Sequence, residues 1–136
     1  MKRHQNGGAA TELVLATPVM VLLMLFVVLL GRITAASAEL QGAAHAAARA
    51  ASLERDPQAA VLAAQEMVSA ALGGQHLICS PLHVAVDTSD FHPGGDVVVA
   101  VTCAVNLADL APLPVPATKT FSARFAEPID RFEGTG

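Results

Sequence analysis

The sequence predicts an α+β fold, in which a long N-terminal membrane-spanning helix continues into a domain with a second helix and a small antiparallel sheet of about three strands. The first observation is the uncharged, apolar run over residues 13–31. The second is an alanine-rich stretch over residues 32–72, with proline only at Pro57. The third is a set of valine-rich, loosely alternating segments after residue 75. Helix propensity followed by strand-type alternation places the helices before the strands.

The apolar run has the length of a bilayer span. As a helix, residues 13–31 rise about 28 Å, close to the hydrocarbon core of about 30 Å. Lys2 and Arg3 precede the run, and the positive-inside rule keeps that side cytoplasmic. We therefore expect a single-pass protein of the cell membrane, with a short, flexible cytoplasmic leader over residues 1–12, a transmembrane helix over 13–31 and an extracytoplasmic domain over 32–136.

A secretory signal is the competing interpretation of the same stretch. The small residues before Glu39 resemble a signal-peptidase site, and a cut after Ala38 would release a small soluble protein. However, the apolar run is longer than the usual signal core of about 7–15 residues, and Glu12 is an acidic residue in a region that is normally basic. The signals favour an uncleaved anchor.

Two helical segments follow the span. Residues 32–55 are predicted to continue the first helix as a stalk, because alanine dominates and no proline interrupts them. Asp56 and Pro57 then end this helix and cap the next one, which is expected over residues 57–72, before a glycine pair. The stalk carries a stripe of small residues that permits close approach of another helix. The stripe consists of Leu40, Ala43, Ala44, Ala47, Ala50 and Ala51.

Three strands are expected in the remainder of the chain. Valine-rich, alternating segments cover residues 76–86 and 96–105, and a third, less regular strand is expected over residues 118–126. A turn containing proline and two glycines separates the first two strands, which indicates a hairpin. A proline-rich connector over residues 108–116 precedes the third strand, and the segment from residue 127 to the end is expected to fray.

The two cysteines are predicted to form one structural disulfide. Cys79 and Cys103 both lie in the part expected to be exported, where an even pair is typical of a disulfide. The C-x-x-C spacing of a redox pair is absent. If the cysteines faced each other across the hairpin, Val84 would pair with Val98, and residues 87–95 would form the loop.

Several classes of function are disfavoured by the sequence. The common nucleotide-binding, hydrolase and zinc-protease motifs are absent, and the five histidines lack ligand spacing. We therefore expect no enzyme, no catalytic residue, no metal site and no cofactor. A net charge of −4, with neither tryptophan nor tyrosine, also argues against a nucleic-acid partner.

The N-terminal block carries a resemblance to a known family. Gly7 to Glu12, read as G-x-x-x-x-E before an apolar helix, resembles the site at which prepilin peptidases cut pilins and pseudopilins. Together with Pro18, residues 30–32 and the alanine-rich run around Arg49, the block over residues 7–53 resembles the TadE-like family. That resemblance implies a structural, non-catalytic role in Tad (Flp) pilus assembly or secretion, with the pilin, the assembly machinery or other TadE-like subunits as partners.

The resemblance makes Gly7, Gly8 and Glu12 candidate processing and assembly residues. Leu13 departs from the family pattern, which commonly has an aromatic residue there. Glu12 has two interpretations: it lies in interfacial water near the positive end of the helix dipole, or it neutralises the amine of a neighbouring subunit cut after Gly7, which would set the stagger between helices. A membrane-anchored binding domain without any tie to pili is a third, weaker functional alternative.

Overall fold

The computed structural model describes residues 6–74, 78–110 and 116–131, and it confirms the α+β class. Along the chain, a long apolar helix is followed by a second helix and an antiparallel sheet of three strands, with one short helical turn before the last strand. The elements are α1 (Asn6–Ser52), α2 (Pro57–Gly73), β1 (Leu82–Asp87), β2 (Asp96–Asn106), α3 (Leu107–Leu110) and β3 (Thr118–Pro128).

Helix α1 is one continuous rod of 47 residues. It begins at Asn6, so the prediction of a flexible leader is wrong for residues 6–12, while residues 1–5 lie outside the described part. Gly7 and Gly8 are weak helix formers, but the stretch contains no proline, and extending an existing helix costs far less than starting one. Pro18 lies well inside α1, where its ring nitrogen cannot donate to the carbonyl one turn earlier. The helix ends at Ser52, whose hydroxyl donates to the Arg49 carbonyl at 2.8 Å.

Helix α2 begins at Pro57, as its sequence signals indicate, and ends at Gly73, one residue later than predicted. The Asp56 carboxylate accepts hydrogen bonds from the backbone N–H groups of Gln58 and Ala59 at 3.1 and 3.0 Å. These bonds satisfy two of the donors that every helix start leaves free. Pro57 occupies the first turn, where its missing N–H costs nothing. At the other end, the Gly74 N–H donates to the Ala70 carbonyl at 3.3 Å.

The hairpin register predicted from the cysteines is wrong. Val84 pairs with Val101 rather than with Val98, three residues further along β2, and Leu82 is the residue opposite Cys103. Cys79 lies before β1 and has no partner in the ladder. The prediction assumed that the first strand extends through Pro81, but β1 begins only after this proline.

The strands also differ from their predicted bounds. The first was expected from residue 76, but residues 78–81 are not strand, and residues 75–77 lie outside the described part. The second and third strands end one and two residues later than expected, respectively. The predicted connector begins with the helical turn α3 instead of irregular chain. Its residues 111–115, and residues 132–136 of the expected frayed end, are not among those described.

The second half of α1 packs together with α2, α3 and the three strands, and we call this part of the protein the body. The body consists of two layers, with α1 and α2 packed on one face of the sheet. Because β2 is the central strand, every second side chain on it is fully buried. The facing stripes of the helices are mostly alanine, which lets the backbones approach closely. The buried side chains are Ala36, Leu40, Ala43, Ala44, Ala47, Ala48 and Ala51 on α1, Ala60, Ala64, Val68 and Leu72 on α2, and Val97, Val99, Val101, Cys103 and Val105 on β2.

Two contacts show that α1 and β3 run side by side in the same direction. The His45 and Phe125 rings meet edge to face with centroids 5.3 Å apart. One helical turn further on, Arg49 Nη1 lies 3.3 Å from Glu127 Oε1. Between the two contacts, α1 advances by four residues, or about 6 Å, and β3 by two residues, or about 7 Å, so the two elements advance by similar distances in the same direction. The body therefore has an α3 end, where β2 ends, and a hairpin end, where the β1–β2 loop meets Arg49 and Glu127.

Candidate membrane-spanning and assembly helix

The first half of α1 exposes apolar side chains on all sides. Leu15 is 69% exposed, Met24 70% and Phe26 53%. A helix that is apolar all round is stable only in apolar surroundings, and an exposed surface of this size marks a membrane or protein interface. Among the described residues, the stretch from Gly8 to Ser52 is the one helix long and apolar enough to cross a membrane, with a mean hydropathy of 3.0 over its most apolar window.

Two hydroxyl groups of α1, one within the predicted span and one just after it, are compatible with a hydrocarbon environment. The Thr17 hydroxyl donates to the Leu13 carbonyl at 2.6 Å, and the Thr34 hydroxyl donates to the Gly31 carbonyl at 2.9 Å. Hydrogen bonds inside the helix satisfy these hydroxyls without water, which a bilayer core requires. Thr17 also precedes Pro18, where the regular helix pattern lacks a donor.

The predicted processing residues all lie at the beginning of α1. Gly8 and Glu12 are four residues apart in one helix, so they lie on the same face, one turn from each other. The Glu12 side chain is exposed. The structure does not bring these residues near the cysteines, because Glu12 precedes Leu29, the first buried residue described on α1, by about 26 Å of helix.

Sequence reasoning missed a second small-residue face, on the outside of α1. Gly31, Ala35, Ala38 and Gly42 are all exposed, and their spacing places them opposite the buried alanine stripe. A Cβ atom added at Gly31 or Gly42 would meet nothing within 4 Å. We call these four residues the outer small-residue face. The sequence did contain a signal for this face, because its residues are spaced alternately by four and three positions, as on one side of a helix.

The cysteine pair lies at the α3 end of the body. Cys79 and Cys103 form a disulfide with their Cα atoms 5.1 Å apart, as the sequence predicted, although the ladder around them differs. Cys103 is fully buried on the central strand, while Cys79 is half-buried. The Ser80 N–H also donates to the Ala104 carbonyl at 2.8 Å. Both bonds hold the segment before β1 against β2.

Charged residues line a groove at the hairpin end. Arg49, Glu127, Asp130 and Arg131 contribute both signs of charge to an open groove of about 520 Å³. Gly94, which has a φ of 86°, lies beneath the Arg131 side chain. Within the described ranges, no group of three histidine, cysteine, aspartate or glutamate residues could hold a metal ion. The balanced charges give the groove no preference for one class of ligand.

Among the described residues, two groups at the hairpin end have a shifted pKa: Asp87, the last residue of β1, and His92 in the loop that follows. The Pro93 carbonyl and the Asp90 carboxylate, 3.2 and 3.0 Å from the His92 ring nitrogens, raise the pKa of His92 above its ordinary value. Hydrogen bonds from Ser89 lower the pKa of Asp87. Both groups are exposed, so these bonds organise a surface turn and build no buried catalytic pair.

These features define a class of protein: an α+β body on the C-terminal side of one helix that could span a membrane. Within this class, residues 7–49 match a family model described as TadE-like protein. The match confirms the resemblance predicted for the N-terminal block and points to a role related to the Tad pilus. It ends within α1, so β1–β3 and α2 lie outside it. No curated protein and no solved structure matches the chain.

Proposed function

We propose that this chain is a membrane-anchored, pseudopilin-like subunit with a structural, non-catalytic role in Tad (Flp) pilus assembly or secretion. One observation carries the proposal: the family match over residues 7–49 lies wholly within α1. In that one helix, an exposed apolar half is followed by a half with one buried face and one exposed small-residue face. The first half supplies an anchor, and the second supplies both the base of the body and a surface for a neighbouring helix.

The proposed orientation has the N-terminus in the cytoplasm and the body outside. Lys2 and Arg3 supply the positive charge before the span. A disulfide in the body also fits an oxidising compartment. Release by a cut after Ala38 fits the fold poorly, since Ala36 and Leu40 on either side of this site are buried within one unbroken helix.

Fractionation and protease access will test the anchor. We expect the protein to remain in the membrane fraction, with its body digested by protease added to intact spheroplasts and protected in inverted vesicles. Intact mass should place the mature N-terminus at Met1, or at Gly8 if a prepilin-type peptidase cuts after Gly7. Release into the medium with an N-terminus at Glu39 would show instead that the chain is a secreted protein.

The outer small-residue face is the proposed docking surface for a helix of the pilin, the assembly machinery or another TadE-like subunit. Small side chains let two helix backbones approach closely, which provides packing where the hydrophobic effect is weak. Gly31 lies at the end of the predicted span, and Gly42 lies about 16 Å further along α1. This face therefore extends from the membrane boundary along the stalk, and the body of the same chain leaves it uncovered.

We expect Gly42→Leu to reduce pilus assembly strongly without harming the fold. The new side chain would meet no atom of the body within 4 Å at its Cβ, and replacing glycine within a helix gains up to about 1 kcal/mol. A partner helix, however, could no longer approach closely. The matched control is Ala70→Leu, at a position on α2 that is also exposed. Pilus counts by electron microscopy, with protein levels by immunoblot, should separate the two variants; equal piliation would exclude this face as a docking surface.

A further inference from the structure

We propose that the α3 end of the body is seated in the phospholipid headgroup region, with Ile78 and α3 in contact with lipid. This inference rests on the membrane span of the proposed function and adds a second point of contact to it. The occupant is the bilayer itself, because the surface in question lies at the level along α1 at which the predicted span ends. Three observations support it. Helix α3 lies at the height along α1 at which the predicted span ends, burial on α1 extends into that span, and charged residues are denser at the opposite end of the body.

The level of α3 follows from the paired contacts of α1 and β3. The His45–Phe125 contact fixes one height common to both elements. From Phe125 back to Lys119, the strand covers about 20 Å, which equals about 13 residues of helix. Lys119 therefore lies close to the level of Arg32. Since Lys119 pairs with Val105 just before α3, α3 lies where the predicted span ends.

Burial on α1 also reaches into the predicted span. Leu29, within the 13–31 run, is only 9% exposed, and Leu25 one turn earlier is half-buried, whereas the other apolar side chains of the span are exposed. Helix α3 contacts α1, and Leu110 and Ile33 both pack against the core. The body therefore overlaps the predicted span by at least one helical turn, so its lowest part lies within the thickness of the membrane.

The side chains at this end suit a lipid interface. Ile78 is 65% exposed and adjoins Cys79, whose disulfide holds it beside β2. Three charged side chains at this end are exposed, those of Arg32, Asp109 and Lys119. The two basic ones are of the kind that lipid phosphates attract, and Asp109 requires contact with water or headgroups rather than acyl chains. Charges are denser at the opposite, hairpin end, as expected if that end faces water. The charged residues there include Arg49, Glu54, Arg55, Asp56, Asp90, Asp96, Glu127, Asp130 and Arg131.

Tryptophan fluorescence offers a direct test, because the chain has no tryptophan and no tyrosine. Single variants of the full chain, I78W and A108W at the α3 end, would be reconstituted in vesicles of phosphatidylcholine and phosphatidylglycerol. Bromines on the lipid acyl chains, close to or far from the headgroup, quench a nearby indole. Q58W, an exposed position at the hairpin end, is the matched aqueous control, and V21W within the span reports insertion itself.

We expect I78W and A108W to show blue-shifted emission and to lose more fluorescence with bromines near the headgroup than with bromines at the chain ends. Q58W should keep the emission of an indole in water and should not be quenched by either brominated lipid. If V21W is quenched while I78W and A108W behave like Q58W, the body stands clear of the membrane and the inference is overturned. If V21W is itself unquenched, the span of the proposed function fails, and the inference fails with it. Because two positions at the α3 end are tested, a local disturbance caused by one substitution would not decide the result.

Discussion

Replacing Cys79 and Cys103 together by alanine should lower the free energy of unfolding of the body by about 3 kcal/mol. The bond joins residues 24 apart in sequence, and closing a loop of this size restricts the unfolded chain by roughly that amount on the chain-entropy model. A body this small has a total stability of only about 5–15 kcal/mol. Losing the crosslink therefore removes a large share of the total and also frees the segment before β1.

Urea unfolding of the full chain in vesicles, followed by circular dichroism, will measure this loss. The internal control is reduction: dithiothreitol should destabilise the wild-type protein by a similar amount and leave the double alanine variant unchanged. Alkylation of protein taken directly from the membrane gives a second readout, in which we expect no free thiol before reduction. Two freely alkylated cysteines in that sample would show that the bond does not form in the cell.

The fold class was accessible from the sequence because its signals are local. Asp56 and Pro57 cap α2 with groups that act within one turn, and the alanine stripe has the spacing of a buried helix face. The hairpin register was not accessible by the same reasoning. The disulfide appeared to fix it, but Cys79 lies outside the ladder, and a covalent bond between two residues does not make them strand partners.

Which small residues of α1 would be buried depended on tertiary packing. Both faces of the stalk are rich in small side chains, and α2 and the sheet together cover only one of them. Alanine at Ala44 and alanine at Ala38 look alike in the sequence, yet the first is fully buried and the second is exposed. The overlap of the body with the span was equally hidden, because it depends on how β3 aligns with α1.

Replacing Glu12 by glutamine should reduce pilus assembly strongly while insertion, the disulfide and the fold of the body remain unchanged. Glutamine keeps the size and hydrogen-bonding capacity of the side chain but removes its charge. Insertion should be unchanged or slightly easier, since a carboxylate at the membrane edge is costly. The first buried side chain described on α1, that of Leu29, lies about 26 Å of helix from Glu12, so the stability of the body should not respond.

The geometry of α1 separates the two roles considered for Glu12. An interaction with the helix dipole is worth about 0.3–1 kcal/mol and fades beyond the first turn. Glu12 lies beyond the first turn of a helix that begins at Asn6, and it remains so if the chain is cut after Gly7. A charge pair with the amine of a neighbouring Gly8, held among apolar helices, is of a different size: removing one partner costs about 3–5 kcal/mol.

The expected loss of assembly follows from that difference. A cost of about 3–5 kcal/mol for leaving the amine unpaired weakens each subunit contact on the order of a hundredfold or more, whereas loss of a dipole interaction changes it by less than about tenfold. Glu66→Gln, an exposed carboxylate on α2, removes the same charge from the body and should leave assembly intact. Pilus counts at matched protein levels will distinguish these outcomes. If Glu12→Gln and Glu66→Gln cells carry as many pili as the wild type, Glu12 is an interfacial side chain, and the stagger between subunits is set by packing on the outer small-residue face alone.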